Sequence, residues 1–445
     1  MQDMTTGSVT HHLLKTTSFM LVTMVFQTLY FLIDLYWVGH LGKEAVAAVG
    51  VSGNLTFIVL AVSQMLAVGT TTLVSHAVGR RDQDRALLVF NQSFVLGGGV
   101  SALFLLIGMT LRPWYAATLS ADVVTARAAG DYLLWFIPAM ALQFWIVGMA
   151  AALRGTGNFK PGMIVQTASV ILNTILAPLL IFGWVTPRPL GVAGAAIATL
   201  ISVVVGALWL ATYFRYASAF LHFKRTMWQP QPRLWGDMLR VGLPAGAEFV
   251  MTAVYLFFVY TISRPFGAAA QAGFGIGMRI IQSGFLPVVA LGFAVAPVAG
   301  QNFGARRGER VRTAFRSAAL MGIAVMGPFS LLCHYAHHRL IGFFSTDPQV
   351  IAIGGEYLRI VSWTFVASGI VFVASSMFQA MGNTIPPLIT SFARLLLVMG
   401  PAIILSRANG FTLTWIWYLS ACAIGAQMLL NLALLRREFR GKLEG

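Results

Sequence analysis

Two carboxylates stand inside long apolar runs, Asp34 in LYFLIDLYWVG and Glu248 in GLPAGAEFVMT, while the other twelve of the 14 acidic residues fall in loops, termini or run ends. Holding an ionised side chain at bilayer depth costs roughly 2.5–3.5 kcal/mol even on lenient scales, so each marks a candidate ion, proton or substrate site. Arg279 and Arg394 also lie within apolar runs, in the same half of the chain as Glu248. A pair between Glu248 and either arginine would hold that carboxylate ionised and withdraw it from proton exchange. If Asp34 has no such partner, desolvation favours its neutral acid. Asp34 is therefore expected to be the principal coupling carboxylate. The plainer alternatives are an interfacial Asp34 reaching water and a Glu248 that merely neutralises an arginine.

Other chemistry lacks its residues. No GxxxxGK[ST] loop is present for nucleotide binding, and no HExxH, GxSxG or paired catalytic carboxylates appear. An integral-membrane enzyme would need clustered histidines or carboxylates at one membrane face. His11 and His12 lie at a terminus, and His334, His337 and His338 near a loop, where solvated histidines are the simplest reading. Cys333 and Cys422 fall in apolar runs outside any CxxC or Cys/His cluster and read as small hydrophobes. No cofactor and no metal site are expected.

The elements that must position the two carboxylates follow from composition. Of the 445 residues 58% are hydrophobic and 10% charged, and mean hydropathy is +0.77. A soluble domain is about a quarter charged, so bilayer spans of about 20 residues account for the chain better. Twelve runs are long enough, near 14–38, 51–77, 88–111, 130–152, 162–184 and 191–214, then 239–263, 274–300, 313–335, 354–380, 386–406 and 411–435. The expected fold is an all-α membrane protein of twelve transmembrane helices in two pseudo-symmetric six-helix bundles. Residues 1–214 form the first lobe, 215–238 a cytoplasmic linker and 239–445 the second lobe. No cleavable signal segment precedes the first run, which is expected to remain as a span. The net charge of +16 would suit nucleic acid in a soluble protein, but here it sits in short loops between spans. With both termini inside, twenty Lys and Arg lie on the cytoplasmic side and eight outside, the bias expected of that orientation.

Shifting the chain by 225 residues brings separated motifs into register without gaps. Lys15 meets Arg240. Gly42 and Gly50 meet Gly267 and Gly275, and Gly79-Arg80-Arg81 meets Gly304-Ala305-Arg306. The tetrapeptide at Gly130-Asp131-Tyr132-Leu133 meets Gly355-Glu356-Tyr357-Leu358, and Gly157-Asn158 with Pro161 meets Gly382-Asn383 with Pro386. Six spans per copy give the copies one orientation, as in parallel-repeat transporters that expose a cavity alternately to each side. Tyr30, Tyr255 and Asn383 are candidates for lining such a cavity. The 19 methionines and the 12% aromatic content suit an adaptable cavity for apolar cations, although packing accounts for most of them. The small-residue stretches GAAAQAGFGIG and GVAGAAIAT read as close helix contacts.

These motifs together resemble the multidrug and toxic-compound extrusion (MATE) family over nearly the whole chain. They are D-x-Y-x-V-G-x-L-G from Asp34 to Gly42, TLVSHAVGRRD from Thr72 to Asp82 and ALRGTGNFKPGM from Ala152 to Met163, followed by VGLPAGAE from Val241 to Glu248 and GQNFGA from Gly300 to Ala305. The resemblance implies two six-helix lobes around a V-shaped cavity. It also implies export of cationic or amphipathic compounds in exchange for Na⁺ or H⁺. A functional carboxylate in the first span matches Asp34, one in the seventh matches Glu248, and the sixth-span threonine matches Thr199. Asn173 keeps the fifth-span asparagine, but Ala177 stands where one branch has an acid, and Asn383 where another has one. A hard cation gains from several oxygens and carboxylate charge, so these losses favour H⁺ over Na⁺ as the coupling ion.

The chain is thus expected to be a monomeric secondary active antiporter of the bacterial inner membrane. Its partners would be a cationic small molecule and membrane lipid, not nucleic acid. The alternative is a flippase of the same superfamily moving a lipid-linked anionic precursor, to which Arg279 and Arg394 could lend positive charge.

Overall fold

The computed structural model describes residues 2–120, 122–408 and 410–443, leaving aside the side chains of Phe31, Lys43 and Asn54. Every regular element among them is helical. The first six helices are α1 (Val9–Gly39), α2 (Lys43–Gly79), α3 (Gln83–Leu119), α4 (Val123–Gly155), α5 (Lys160–Ile181) and α6 (Gly191–Thr212). Then follow α7 (Pro232–Ser263), α8 (Ala268–Gly304), α9 (Gly308–Gly342), α10 (Pro348–Val361), α11 (Phe365–Ala380), α12 (Ile385–Leu405) and α13 (Leu413–Leu443). A 3₁₀ turn over Ser362–Thr364 joins α10 to α11, making one span of Pro348–Ala380 and twelve candidate spans in the described residues. The helices outrun the apolar stretches that announce them. The 37 residues of α2 rise about 55 Å at about 1.5 Å each, beyond a hydrocarbon core of about 30 Å. Polar ends are closed by caps: Asp82, Asp122 and Asp347 accept the backbone N–H groups of Arg85, Thr125 and Gln349 at 2.8–2.9 Å, satisfying donors a helix start leaves free.

The chain divides into two compact units. One contains residues 1–3 and Val22–Gly246, the other Met4–Leu21 and Ala247–Gly445. Of the three breaks, one precedes α1 and the other two fall inside α1 and α7, after Leu21 and Gly246, which are themselves 225 positions apart. The segment expected as a linker runs over residues 215–238. It holds a π-helical turn at Tyr213–Ala217, a 3₁₀ turn at Arg225–Met227 and the start of α7, and it belongs to the first unit. Two buried side chains of α3 tie it down. Asn91 Oδ1 accepts Lys224 N and Trp228 Nε1, both at 2.9 Å, while Gln92 Nε2 donates to the carbonyls of Met227 and Gln229 at 2.6 and 2.7 Å. In the second unit the segment preceding α1 is held comparably. Met4 N donates to Gln301 Oε1 at 3.0 Å, Asn302 Nδ2 to Met4 O at 3.1 Å and Arg307 to Thr5 O at 2.6 Å. Gln301 and Asn302 of the GQNFGA stretch, with Arg307 just beyond it, thus clamp residues 4–5.

The repeat is written into the backbone. Left-handed residues occur at Gly42, Arg81 and Gly157, and again at Gly267, Arg306 and Gly382, each 225 positions on. The same helix-ending hydrogen bonds recur: Asp82 N to Ala77 O and Arg307 N to Asn302 O, both 2.9 Å, the 6→1 bond of a helix C-terminus closed by a left-handed residue.

Within the first unit α4 is the most deeply buried span, as are α8 and the Pro348–Ala380 span in the second. Peripheral helices turn large apolar side chains outward: Leu106 is 67% exposed, Phe257 73% and Ile404 72%. In water that surface would be unfavourable at about 25 cal/mol per Å², whereas lipid tails accept it. Of the two cysteines read as small hydrophobes, Cys333 is buried and Cys422 is exposed.

Candidate functional site

Asp34 lies in the last turns of α1 on a stripe with Tyr30 and Val38, four residues before and after it. That spacing puts the three on one helix face. Val38 is fully buried in a cluster with Tyr132 of α4, Ala177 of α5 and Ala195 and Ala198 of α6. Small side chains there allow the helices close approach and leave the polar groups facing one another. Tyr30 Oη and Thr199 Oγ1 are 2.9 Å apart, and Asn173 Nδ2 donates to Thr199 Oγ1 at 3.2 Å. Asp34 is 8% exposed, its charge acts on the phenols of Tyr30 and Tyr132, and its Oδ1 has no hydrogen-bond partner among the described residues. No described cation pairs with it. The first unit therefore holds a buried acid one helix turn from Tyr30, whose hydroxyl joins Thr199 and Asn173 in a chain of neutral polar groups. Such a carboxyl can take up a proton, a small cation or a cationic ligand.

Glu248 sits in α7 one turn beyond Pro244, and its surroundings differ. Ser375 Oγ donates to both carboxylate oxygens at 3.1 and 3.2 Å, Ser391 Oγ donates to Oε1 at 3.3 Å, and Gln427 Nε2 donates to Ser391 Oγ at 3.1 Å. Arg394 of α12 acts on Glu248 electrostatically but lies outside ion-pair reach, its guanidinium instead over the Tyr255 ring at 5.6 Å. Arg279 is exposed on α8, and nothing links it to Glu248. Asn383, expected near a cavity, instead donates to Glu438 Oε1 at 3.0 Å, beside the Glu438–Lys442 ion pair. The left-handed Gly382 ends the helix and turns Asn383 toward α13. Because the Glu248 carboxylate mainly receives neutral hydroxyls, Glu248→Gln preserves an acceptor oxygen. We expect it to retain transport within about threefold, less than one hydrogen bond's worth of free energy, measured as initial export rate in everted vesicles. A loss as deep as that of an Asp34 variant would make Glu248 an equal coupling site.

Sequence reasoning overlooked Tyr132 and Tyr357, although the 225-residue shift pairs them. Tyr30 and Tyr255 are also so paired, and Tyr255 Oη meets Ser420 Oγ at 2.9 Å. Each unit carries the same two phenols around a different charge, Asp34 in one and Arg394 in the other.

A duplicated six-span helical fold with an intramembrane carboxylate in each unit defines a multi-pass membrane protein of the transporter class. The MatE sequence signature matches residues 20–179 and 244–404, and the chain belongs to that family, whose members are transporters and not enzymes. Both matched stretches follow the repeat. The chain is similar to the probable multidrug resistance protein YoeA of Bacillus subtilis, 24% identical over 416 residues covering 92% of this chain and 90% of that one. It is 26% identical to the multidrug export protein MepA of Staphylococcus aureus, covering 93% and 91%. Among solved structures, a MOP superfamily transporter from Pyrococcus furiosus matches 100% of this chain and 98% of its own at a TM-score of 0.91 and 23% identity. A MATE protein in complex with MaL6 also superposes at 0.91 and 23% identity, over 100% and 99%. These likenesses establish the fold.

Proposed function

We propose that this chain is a secondary active antiporter that exports cationic or amphipathic small molecules by alternating access, with Asp34 exchanging a proton for cargo. The observation that carries this reading is the buried Asp34 carboxyl, with an unpartnered Oδ1 and no cation paired to it. The names of the relatives, multidrug resistance and multidrug export proteins, support the substrate class. Ionised Asp34 would hold a cation in a low-dielectric wall, where a single charge pair is far stronger than in water. Protonation removes that attraction, so cargo and proton bind the same group in alternation, the differential affinity an antiporter needs.

Proton coupling is favoured over sodium coupling by the donor set. The polar groups linked through Tyr30, those of Thr199 and Asn173, are neutral and include no second carboxylate, Ala177 being fully buried where the resemblance would put another acid. The reading further places the protein in a bacterial inner membrane as a monomer with both termini cytoplasmic, the last from the loop charge bias. The test is transport of a fluorescent lipophilic cation into proteoliposomes under separately imposed gradients. A pH gradient should drive uptake that an uncoupler abolishes, and a Na⁺ gradient at fixed pH should not. Uptake driven by Na⁺ alone would overturn proton coupling, and failure under both gradients would overturn antiport.

A further inference from the structure

The second unit contains a cavity of about 310 Å³ to which the proposed proton exchange assigns no role. It is lined chiefly by apolar and aromatic side chains, among them Tyr255, Met278, Phe285, Tyr357 and Phe365, and Arg394 is the sole charged side chain lining it among the described residues. Glu248 is not part of the lining. The guanidinium carries five N–H donors in a fixed fork, and among the described residues none of them donates a hydrogen bond or meets a carboxylate at ion-pair distance. Its neighbours are the Tyr255 ring at 5.6 Å and, more remotely, the charge of Glu248, whose oxygens are occupied by Ser375 and Ser391. The Tyr255 hydroxyl is likewise engaged, with Ser420, and that of Tyr357 donates to Met278 Sδ at 3.0 Å. A half-buried cation with its donors unused, in a pocket whose other polar lining (Thr252, Gln282, Thr364, Ser368 and Ser420) is uncharged, is poised for one kind of occupant.

We propose that this cavity is a binding site for an amphipathic organic monoanion, a carboxylate or sulfonate on an aromatic body, with Arg394 as its anion-binding residue. The fork of the guanidinium matches the two oxygens of a carboxylate, the phenylalanine and tyrosine rings accept an aromatic body by edge and face, and the volume falls at the small end of ligand pockets. A cation is disfavoured because Arg394 would repel it. The remaining acid in the neighbourhood, Glu248, competes for the positive charge, so removing its charge should strengthen anion binding.

Binding of tritiated 2-naphthoate to the full-length protein in phosphatidylcholine nanodiscs tests this, with empty nanodiscs subtracted for partition. Saturable binding is expected, at least about tenfold tighter than that of neutral 2-naphthamide, the difference a charge-assisted hydrogen-bond pair makes. Arg394→Gln should lose that tenfold preference, Arg394→Lys should keep part of it, and Glu248→Gln should bind the acid more tightly. Equal affinity for acid and amide in the wild-type protein would overturn the proposal without any variant having to fold, as would full binding by a well-folded Arg394→Gln protein or no binding above empty nanodiscs. Asp34→Asn separates the two readings: naphthoate binding should persist in that variant while gradient-driven cation transport is lost. If transport is lost and naphthoate binding is lost with it, the anion site is not the separate cavity proposed.

Discussion

Asp34→Asn should abolish gradient-driven export while leaving the protein expressed, monodisperse and in the membrane. The change is nearly isosteric, and the carboxyl it replaces carries an oxygen, Oδ1, that accepts no hydrogen bond among the described residues. Folding therefore loses little. Function loses the carboxylate that lies one turn from Tyr30 and its chain to Thr199 and Asn173. Removing one partner of a buried ion pair costs about 3–5 kcal/mol, and at about 1.4 kcal/mol per tenfold its loss lowers cation binding by about a hundredfold or more. The amide also cannot exchange a proton, so even residual cargo binding is uncoupled. The measurement is efflux from everted vesicles energised by respiration, compared at matched protein levels. Export by Asp34→Asn at more than a tenth of the wild-type rate would remove Asp34 from the mechanism and leave Glu248 as the candidate carboxylate.

The second large effect concerns structure. Gly242→Ala should prevent assembly of a stable protein. In the first unit Gly246, Gly242 and the backbone of Met238 face Ala61, Met65 and Gly69 of α2, at steps of four residues on both helices. The pairing runs antiparallel, with Gly69 meeting Met238 and Gly246 meeting Ala61. A Cβ on Gly242 would overlap the carbonyl oxygen of Met65, which is backbone and cannot rotate away. Overpacking of a core commonly costs about 1–3 kcal/mol, and a clash with a backbone carbonyl in a close helix seam belongs at or beyond the upper end. Gly236→Ala is the control, since a Cβ there meets open space. Exchanging an interior helical glycine for alanine then gains about 0.5–1 kcal/mol. Thermal unfolding followed by size-exclusion chromatography distinguishes them: Gly242→Ala should aggregate or melt well below wild type, and Gly236→Ala should match or exceed it. Wild-type stability for Gly242→Ala would mean that the seam does not need backbone contact.

How far this was legible beforehand depended on whether a feature is local in sequence. The spans are local, because a bilayer demands an unbroken apolar stretch for each crossing, and twelve such stretches became twelve spans. The duplication is local too, since left-handed residues at Gly42, Arg81 and Gly157 impose themselves on the sequence wherever a helix must end, and they recur 225 positions on. The oddity of Asp34 and Glu248 was visible for the same reason: a carboxylate in a greasy run is costly wherever it lies. Other features required the fold. Whether Arg394 neutralises Glu248 depends on the rotation of α12 against α7, and the packing sends the guanidinium to Tyr255 and the carboxylate to serines. Asn383 was read into a cavity, and only the turn at Gly382 sends it to Glu438. What binds the 215–238 segment was not legible, because its partners Asn91 and Gln92 stand more than a hundred residues away. Hydrophobicity and helix punctuation are properties of neighbouring residues, so the sequence alone determined the spans, the repeat and the unusual charges. Which buried polar group faces which is set by helix rotation and long-range contact, and tertiary structure alone decided it.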